Sequence, residues 1–435
     1  MTTMTRPGWL RAAIGALALS TLAIPLSTVG GCAGTSRDVM EGAAPGESEM
    51  RIRIARDQTE GSFDAVSKFD VFSARGSYRR ATLQGPLRVR LSEAGWVVTD
   101  GSGTERGFDR AEPLVFRPLG ATTVKYNDAE YPGQIRLHSH GGGASSTFDV
   151  VEHIPMEQYL PGVISKELVA NWSQPAFEAQ AIAARSYALH EKQRHMARGE
   201  VYDVESTDRD QVYGGRTTNP TAVAAVLATK GQVLTYQGHL LRAYYSSTCG
   251  GQVGSARDVW PTNRGFEFNL AAPLQGGERE HACQFSPLYQ WTVTRDVSDL
   301  LRRIKGWGTD QQLAIRGLTS IKRIDTTKRS ATGRPTEFRV YQDDGKHWTI
   351  NAEHLRAAMN YGDGANIPTI TRDQRIHSSN FEVAMSGGRI TFKGKGFGHG
   401  VGMCQFCLEG FARRGESVES MLVRFYPGAQ IERLY

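Results

Sequence analysis

Two hydrophobic periods follow one another along this chain, and together they fix its fold class. From Met50 to about Val150, apolar and polar residues alternate, as in Met50-Arg51-Ile52-Arg53-Ile54-Ala55 and Pro86-Leu87-Arg88-Val89-Arg90-Leu91. Glycine and aspartate punctuate these runs at strand-like spacing. From Ile154 the period changes: Met156, Tyr159, Leu160, Val163 and Ile164 recur at helical spacing behind Pro155, which suits a first helical turn. Pro161 inside this run predicts a kink or a split. A second helix is expected from Ser173, as N-cap, with Pro175 in its first turn and Phe177, Ala181, Ala184 and Ala188 on one face. A third follows Asn219-Pro220 and is closed by Gly231. The expectation is α+β: a helical core, flanking β-rich segments, and a substrate cleft between them.

Composition narrows the class. With 435 residues, 22% charged and 40% hydrophobic, disorder, collagen and coiled coil fall away, and two or three domains are expected. Forty-eight glycines favour loops and hairpins over a helical bundle. Val233–Tyr236 and Leu240–Ser246 read as a hairpin about Gln237-Gly238. Residues 251–290 lack periodicity and read as a long excursion. Residues 291–392 mix strand-like runs with one helical patch at Ala352–Met359. The tail holds a glycine-rich loop, Gly394–Gly402, then helices over Cys404–Arg414 and Ser417–Tyr426. The net charge of +6 suits an anionic polymer, a wall glycan or a nucleic acid.

The N-terminus reads as an export signal. Arg6 and Arg11 precede a broken apolar stretch, Ala12–Val29, which ends in Gly30-Gly31-Cys32. Residues 1–31 are read as a lipoprotein-type signal peptide, Cys32 as the lipidated residue, and 32–48 as a flexible tether. That places the protein in the cell envelope, held to a membrane by its lipid, and argues against a nucleic-acid partner.

Three clusters could carry chemistry. Glu167 closes the first helical run in line with Met156, Leu160 and Val163. Partial burial and the negative end of the helix dipole would both disfavour its charged form, as a general acid requires. The bland alternative is an exposed Glu at a frayed helix end. The loop Gly394–Gln405 brings backbone close to something and holds His399, but it lacks the context of a P-loop or a dinucleotide fingerprint. A packing turn with a buried His is the alternative there. Tyr244-Tyr245-Ser246-Ser247-Thr248 gathers hydroxyls at a strand end before Cys249-Gly250-Gly251, suited to sugar hydroxyls or to a plain strand terminus. Beyond Cys32, Cys249, Cys283, Cys404 and Cys407 remain. Disulfides, free thiols, or zinc held through Cys404-x-x-Cys407 and His281-x-Cys283 are all open. Cys249, His281, Cys283 and Cys404 form the candidate metal set.

Three ordered blocks resemble the stage II sporulation protein D / LytB family. They are IPMEQYLPGVISKELVANWSQPAFEAQAIAARSYAL (154–189), TDRDQVYGG with the following ATKGQVLTYQGHLLRAYYSSTCGG, and GKGFGHGVGMCQFCLEGFARRG with the terminal FYPGAQI. The resemblance covers about Met50 to Tyr435. It implies a β-rich part over 49–150, a catalytic core over 151–300 and a completing part over 301–435. The activity it implies is lytic transglycosylation of peptidoglycan, with Glu167 as acid and then base. It assigns Gln180, Arg185, Tyr213, Tyr245, Ser246, Ser247, His399 and Gln405 to substrate contact or orientation. No cofactor is required for this chemistry, and a structural zinc is the one candidate. The LytB branch implies an alternative: a non-catalytic, glycan-binding enhancer of a cell-wall amidase. Leu168-Val169 departs from the methionine-proline frequent after the family glutamate, and Cys407-Leu408 from a glycine-alanine.

Overall fold

The computed structural model describes residues 46–65, 68–73, 76–120, 123–141 and 146–435. The segment read as a signal peptide (1–31), Cys32 and most of the expected tether lie outside the described residues. The chain is mixed α+β. It divides into two compact units. Among the described residues the larger takes everything up to Tyr289, with Ser330–Thr332 and Gly396–Tyr435; the smaller takes Gln290–Arg329 and Gly333–Lys395. Eight α-helices occur among these residues: α1 Met156–Glu167, α2 Gln174–Ala197, α3 Pro220–Ala228, α4 Ala256–Val259, α5 Val297–Asp310, α6 Ala352–Met359, α7 Gln405–Ala412 and α8 Val418–Phe425. None is long and apolar enough to cross a membrane.

The larger unit begins with two sheets. A seven-stranded sheet runs Val204–Glu205, Glu49–Gln58, Thr147–Pro155, Gln134–His140, Leu114–Pro118, Lys68–Ser73, Gly76–Gln84. A six-stranded one runs Ala129–Tyr131, Val124–Tyr126, Glu60–Asp64, Leu87–Ser92, Gly95–Thr99, Glu105–Phe108. Alternation does what the sequence predicts: Leu87, Val89 and Leu91 are buried while Arg88 and Arg90 are exposed. The inward residues of both sheets, Phe63, Phe69, Trp96, Phe116 and Phe148 among them, share one core with α1 and part of α2.

The strand Thr147–Pro155 feeds directly into α1. The expected break at Pro161 does not occur, and α1 is continuous to Glu167. Pro161 lies in the second turn, so it removes one ladder bond close to an end whose first amides have no intrahelical partner anyway. Helix α2 is buried on nearly every side, with Phe177, Gln180, Ala181, Ala184, Arg185 and Ala188 all enclosed. Its alanines let α1, α3, α7 and α8 approach closely. Ser173 occupies the N-cap position, but its side chain does not cap. Its hydroxyl and amide both donate to Glu409 Oε2 of α7, at 2.7 and 3.0 Å.

Arg185 is fully enclosed in this packing. Its guanidinium donates to both Glu157 oxygens at 2.9 and 2.7 Å, and to the Gln232 carbonyl at 2.9 Å. Tyr435 Oη adds a 2.6 Å hydrogen bond to Glu157. The pair ties α1, α2 and the strand Gln232–Tyr236 together.

The smaller unit has two three-stranded sheets, ordered Gln290–Asp296, Arg389–Lys395, Phe381–Ser386 and Arg323–Arg329, Pro335–Tyr341, His347–Asn351. Helix α6 matches the patch expected at Ala352–Met359. Helix α5 does not appear in the sequence reading. Gly306, Gly308 and the buried Arg303 disguise its apolar face of Leu300, Ile304 and Trp307. Gly306 is there for contact: a Cβ would stand 2.3 Å from Ile367 Cδ1.

Truncating Glu157 to Ala leaves the Arg185 charge buried without a partner. It should cost about 3–5 kcal/mol in chemical denaturation, far more than truncating an exposed residue such as Lys166. A loss below about 1 kcal/mol, the scale of an exposed pair, would show that the pair is not holding these elements together.

Candidate functional site

Glu167 ends α1 and is half-buried. Its carboxylate Oε2 accepts a hydrogen bond from Gln405 Nε2 at 3.0 Å. The amide of Val212 also donates to it. Burial holds the Glu167 carboxyl above the ordinary carboxylate range, and these two hydrogen bonds only partly offset that. Gln405 is the first residue of α7, so the N-terminus of one helix meets the C-terminal residue of another.

Around this pair the structure gathers several residues singled out in the sequence. Gln180, on α2, is enclosed: its Oε1 accepts from Gln405 Nε2 at 3.5 Å, and its own Nε2 has no protein partner. Tyr245 feels the Glu167 charge. Burial first, and that charge second, keep its hydroxyl protonated far above neutral pH. Gln211 Nε2 donates to Tyr245 Oη at 3.0 Å and to the Ala184 carbonyl at 3.1 Å, while Gln211 Oε1 accepts from Tyr159 Oη at 3.2 Å. Gln211 and the Val212 amide were missed by sequence reasoning. They lie in the quoted TDRDQVYGG block, where nothing in local pattern separates a bridging glutamine from a solvated one.

The glycine-rich loop, expected to bring backbone close to another element, lies against the strand end at Tyr245-Ser246. Tyr245 pairs with Met403, and Ser246 with Cys404, in a two-residue parallel ladder. Ser246 Oγ accepts from the Gly400 amide at 3.2 Å, and the Ser247 carbonyl accepts from the Phe406 amide at 3.0 Å. At Gly402 (φ +71°) a Cβ would fall 2.0 Å from the Tyr244 carbonyl oxygen. No side chain fits there. His399 is half-buried, its Nδ1 accepting from the Val401 amide at 3.0 Å and its ring 4.8 Å from that of Trp260.

Two implied contact residues are placed otherwise. Arg185 is spent on Glu157 and the Gln232 carbonyl, and offers no accessible surface for a substrate. Tyr213 is a buried core ring, 4.9 Å from Tyr159 and 6.1 Å from Tyr131. Burial at these two positions serves packing.

The four remaining cysteines converge from three separate segments of the chain. The sulfurs of Cys249, Cys283, Cys404 and Cys407 all lie within 4.8 Å of one another, and all four thiols are free. Cys249 Sγ is 3.6 Å from Cys283 Sγ and 3.8 Å from Cys407 Sγ. A tetrahedral zinc with bonds of ~2.3 Å needs sulfur separations of about 3.8 Å, so the set fits. Backbone amides of Cys249 and Cys407 donate to Cys404 Sγ at 3.2 and 3.4 Å, and that of Ala282 to Cys407 Sγ at 3.4 Å. Such donors stabilise bound thiolates. Hydrogen bonds from the neighbouring thiols hold Cys249 well below the usual range, while burial first pushes Cys404 up. The fourth member is therefore Cys407, in place of His281 of the candidate set. His281 stands beside the group, Nδ1 3.6 Å from Cys249 Sγ. Four protein ligands leave no open position, so a metal held here supplies structure. Cys404 also caps α7, its Sγ accepting from the Cys407 amide, and so anchors the turn that presents Gln405 to Glu167.

The purified chain should carry about one zinc per molecule by elemental analysis. Cys407→Ser should lose most of it and melt several degrees lower, whereas His281→Ala should retain it. Full zinc content in Cys407→Ser would rule out the four-thiolate set.

Comparisons with known proteins follow this geometry. Residues 144–236 match the stage II sporulation protein family, and residues 267–402 match a domain of unknown function, DUF8618. An uncharacterized protein of Brachyspira hyodysenteriae is 27% identical over 321 residues, 74% of this chain and 76% of that one. The amidase enhancer of Bacillus subtilis is 28% identical over 292 residues, 62% of this chain but 40% of that protein. The stage II sporulation protein D of Bacillus subtilis is 26% identical over 297 residues, 65% of this chain and 75% of that protein. Over residues 144–236 and across these relatives, the chain is similar to stage II sporulation protein D and to the amidase enhancer.

Proposed function

We propose that this chain is an exported, lipid-anchored protein of the cell envelope that engages peptidoglycan glycan strands at the Glu167 site. Cys32 would carry the lipid. The sugar would lie in a cleft against Glu167, Tyr245 and the His399 loop, with Gln180, itself enclosed, orienting Gln405. Two readings share this placement. The relatives lend more direct support to the first, an enhancer that binds glycan and stimulates a separate cell-wall amidase, because one of them bears the name amidase enhancer.

The second reading is lytic transglycosylation, and the observation that favours it is the raised pKa of Glu167 beside the Gln405 donor. A protonated Glu167 gives its proton to the glycosidic oxygen that follows N-acetylmuramic acid. The C1–O bond breaks and its electron pair stays on the leaving oxygen. The sugar's own C6 hydroxyl then attacks C1 and returns its proton to the Glu167 carboxylate. A 1,6-anhydro ring results, no water is consumed, and the acid is regenerated. One carboxyl group suffices because the nucleophile is internal, unlike the two-carboxylate hydrolases. Gln405 steadies the carboxylate after it has given up its proton.

The deciding experiment is a digest of intact and peptide-stripped peptidoglycan by the soluble chain and by Glu167→Gln, with mass spectrometry for 1,6-anhydro ends. Ends formed by the wild type alone establish the transglycosylase. Their absence, with strand binding and amidase stimulation intact in both proteins, establishes the enhancer. If the enzyme reading holds, activity falls as pH rises through the Glu167 pKa, since the first step needs the protonated form. Gln405→Leu removes a donor that favours the charged form, so the pKa climbs and the alkaline limb of the profile moves to higher pH. A limb that stays in place or moves down would contradict the assigned acid.

A further inference from the structure

Charge is unevenly divided along the chain. Residues 290–395, the smaller unit with its three-residue gap, hold 18 Lys and Arg against 11 Asp and Glu, a balance of +7. All other residues together hold 33 against 34, a balance of −1. The entire positive excess of the protein therefore sits in the unit that does not carry Glu167.

One sheet of that unit presents an ordered polar face. In the strands Arg323–Arg329, Pro335–Tyr341 and His347–Asn351, Ile324, Phe338, Val340 and Ile350 point inward and are buried. The register sets the outward residues in rows across the sheet: Arg323, Tyr341 and His347 in one, Asp325, Arg339 and Thr349 in the next. With strands about 4.8 Å apart, each row spans about 10 Å. The Arg323 guanidinium lies 3.9 Å from the centroid of the Tyr341 ring, and the His347 ring is 5.4 Å away on the neighbouring strand. Arg339 Nη1 donates to Tyr341 Oη at 3.4 Å, and Arg323 Nε to Asp325 at 2.8 Å. Arg323 and His347 are exposed, and Tyr341, Asp325 and Arg339 are half-buried. The side chains hold one another in place, so less freedom is lost when something lands on them.

We propose that this face binds an acidic polysaccharide whose carboxylates are carried on its sugar rings. Tyr341 offers an amphipathic ring to the C–H face of a pyranose. Arg323 and Arg339 offer planar forks to a carboxylate. Because the Arg323 fork is in contact with the Tyr341 ring, sugar and carboxylate must be neighbours in the ligand. Asp325 and Glu337, on the same face, accept hydrogen bonds from sugar hydroxyls. They would repel a polymer with a phosphate on every residue, which sets this surface apart from a nucleic-acid site. Within the wall, the carboxylated sugar available is the muramic acid of glycan strands free of stem peptide. The choice of that ligand rests on the peptidoglycan reading above, while the surface is built from residues of the other unit.

The test uses the whole soluble chain and peptide-stripped glycan strands, with neutral chitin oligosaccharides and duplex DNA as comparators, in a titration at low and raised salt. Wild type should bind the stripped strands more tightly than either comparator, and less tightly at raised salt. Arg323→Gln, Arg339→Gln and Tyr341→Ala should each weaken binding by about tenfold, the size of one lost charge-assisted contact, with unchanged thermal melts. Lys305→Gln, which removes an exposed cation on α5 of the same unit but off this sheet, should bind as wild type does. If wild type binds strands and the three variants bind equally well, this surface is not the site and the peptidoglycan reading stands. If wild type binds no strand at all, both fall. Equal affinity for DNA with the same sensitivity to the variants would overturn the glycan assignment.

Discussion

A parallel ladder of two residues on each side, Tyr245 with Met403 and Ser246 with Cys404, holds the candidate site together. Gln405, the residue that reaches Glu167, follows directly on it. The loop before it is glycine-rich because its backbone must run hard against the Tyr244 carbonyl, where a side chain has no room. The residue after it is Gln405, whose amide reaches Glu167. The same residue that the ladder delivers to Glu167 partly offsets the rise in pKa that burial imposes on it.

The thiol group acts on the same join from behind. Cys404 is at once a rung of the ladder, the cap of α7 and one of the four convergent sulfurs. Placement of the Glu167 partner and the geometry of the four-sulfur group are thus properties of adjacent residues on one turn. Helix α2 backs this arrangement, and the ion pair of Arg185 with Glu157 fixes α2 to α1. Rigid, buried elements carry the side chains, and the loops close over them.

Much of this was legible in the sequence, for identifiable reasons. The change of period at Ile154 gave α1 its place, and the position of Glu167 on the apolar stripe gave its surroundings. The density of glycine before Cys404 announced a close backbone approach. Other features were beyond local pattern. Cys249 and Cys407 are 158 residues apart, and only the folded chain shows that they meet. Ser173 looks like a helix cap, yet a glutamate on a distant helix claims its hydroxyl. The family resemblance put Arg185 at the substrate, but the folded chain encloses it against Glu157. Helix α5 hid because glycine and a buried arginine interrupt its stripe. In each case a long-range contact outweighed the local preference.

The order of the segments has a consequence for how the protein is made. The larger unit is interrupted by residues 290–395, and its final strand, Gln430–Arg433, pairs with Gln232–Tyr236. The ribosome therefore finishes the whole of the smaller unit before it supplies the residues that complete the larger one. A product that stops short of residue 396 retains Glu167 but lacks Gln405, two of the four thiols and the partner strand of Tyr245. Nonsense or frameshift lesions late in the gene should behave as complete losses of the Glu167 site, however little of the polypeptide they remove.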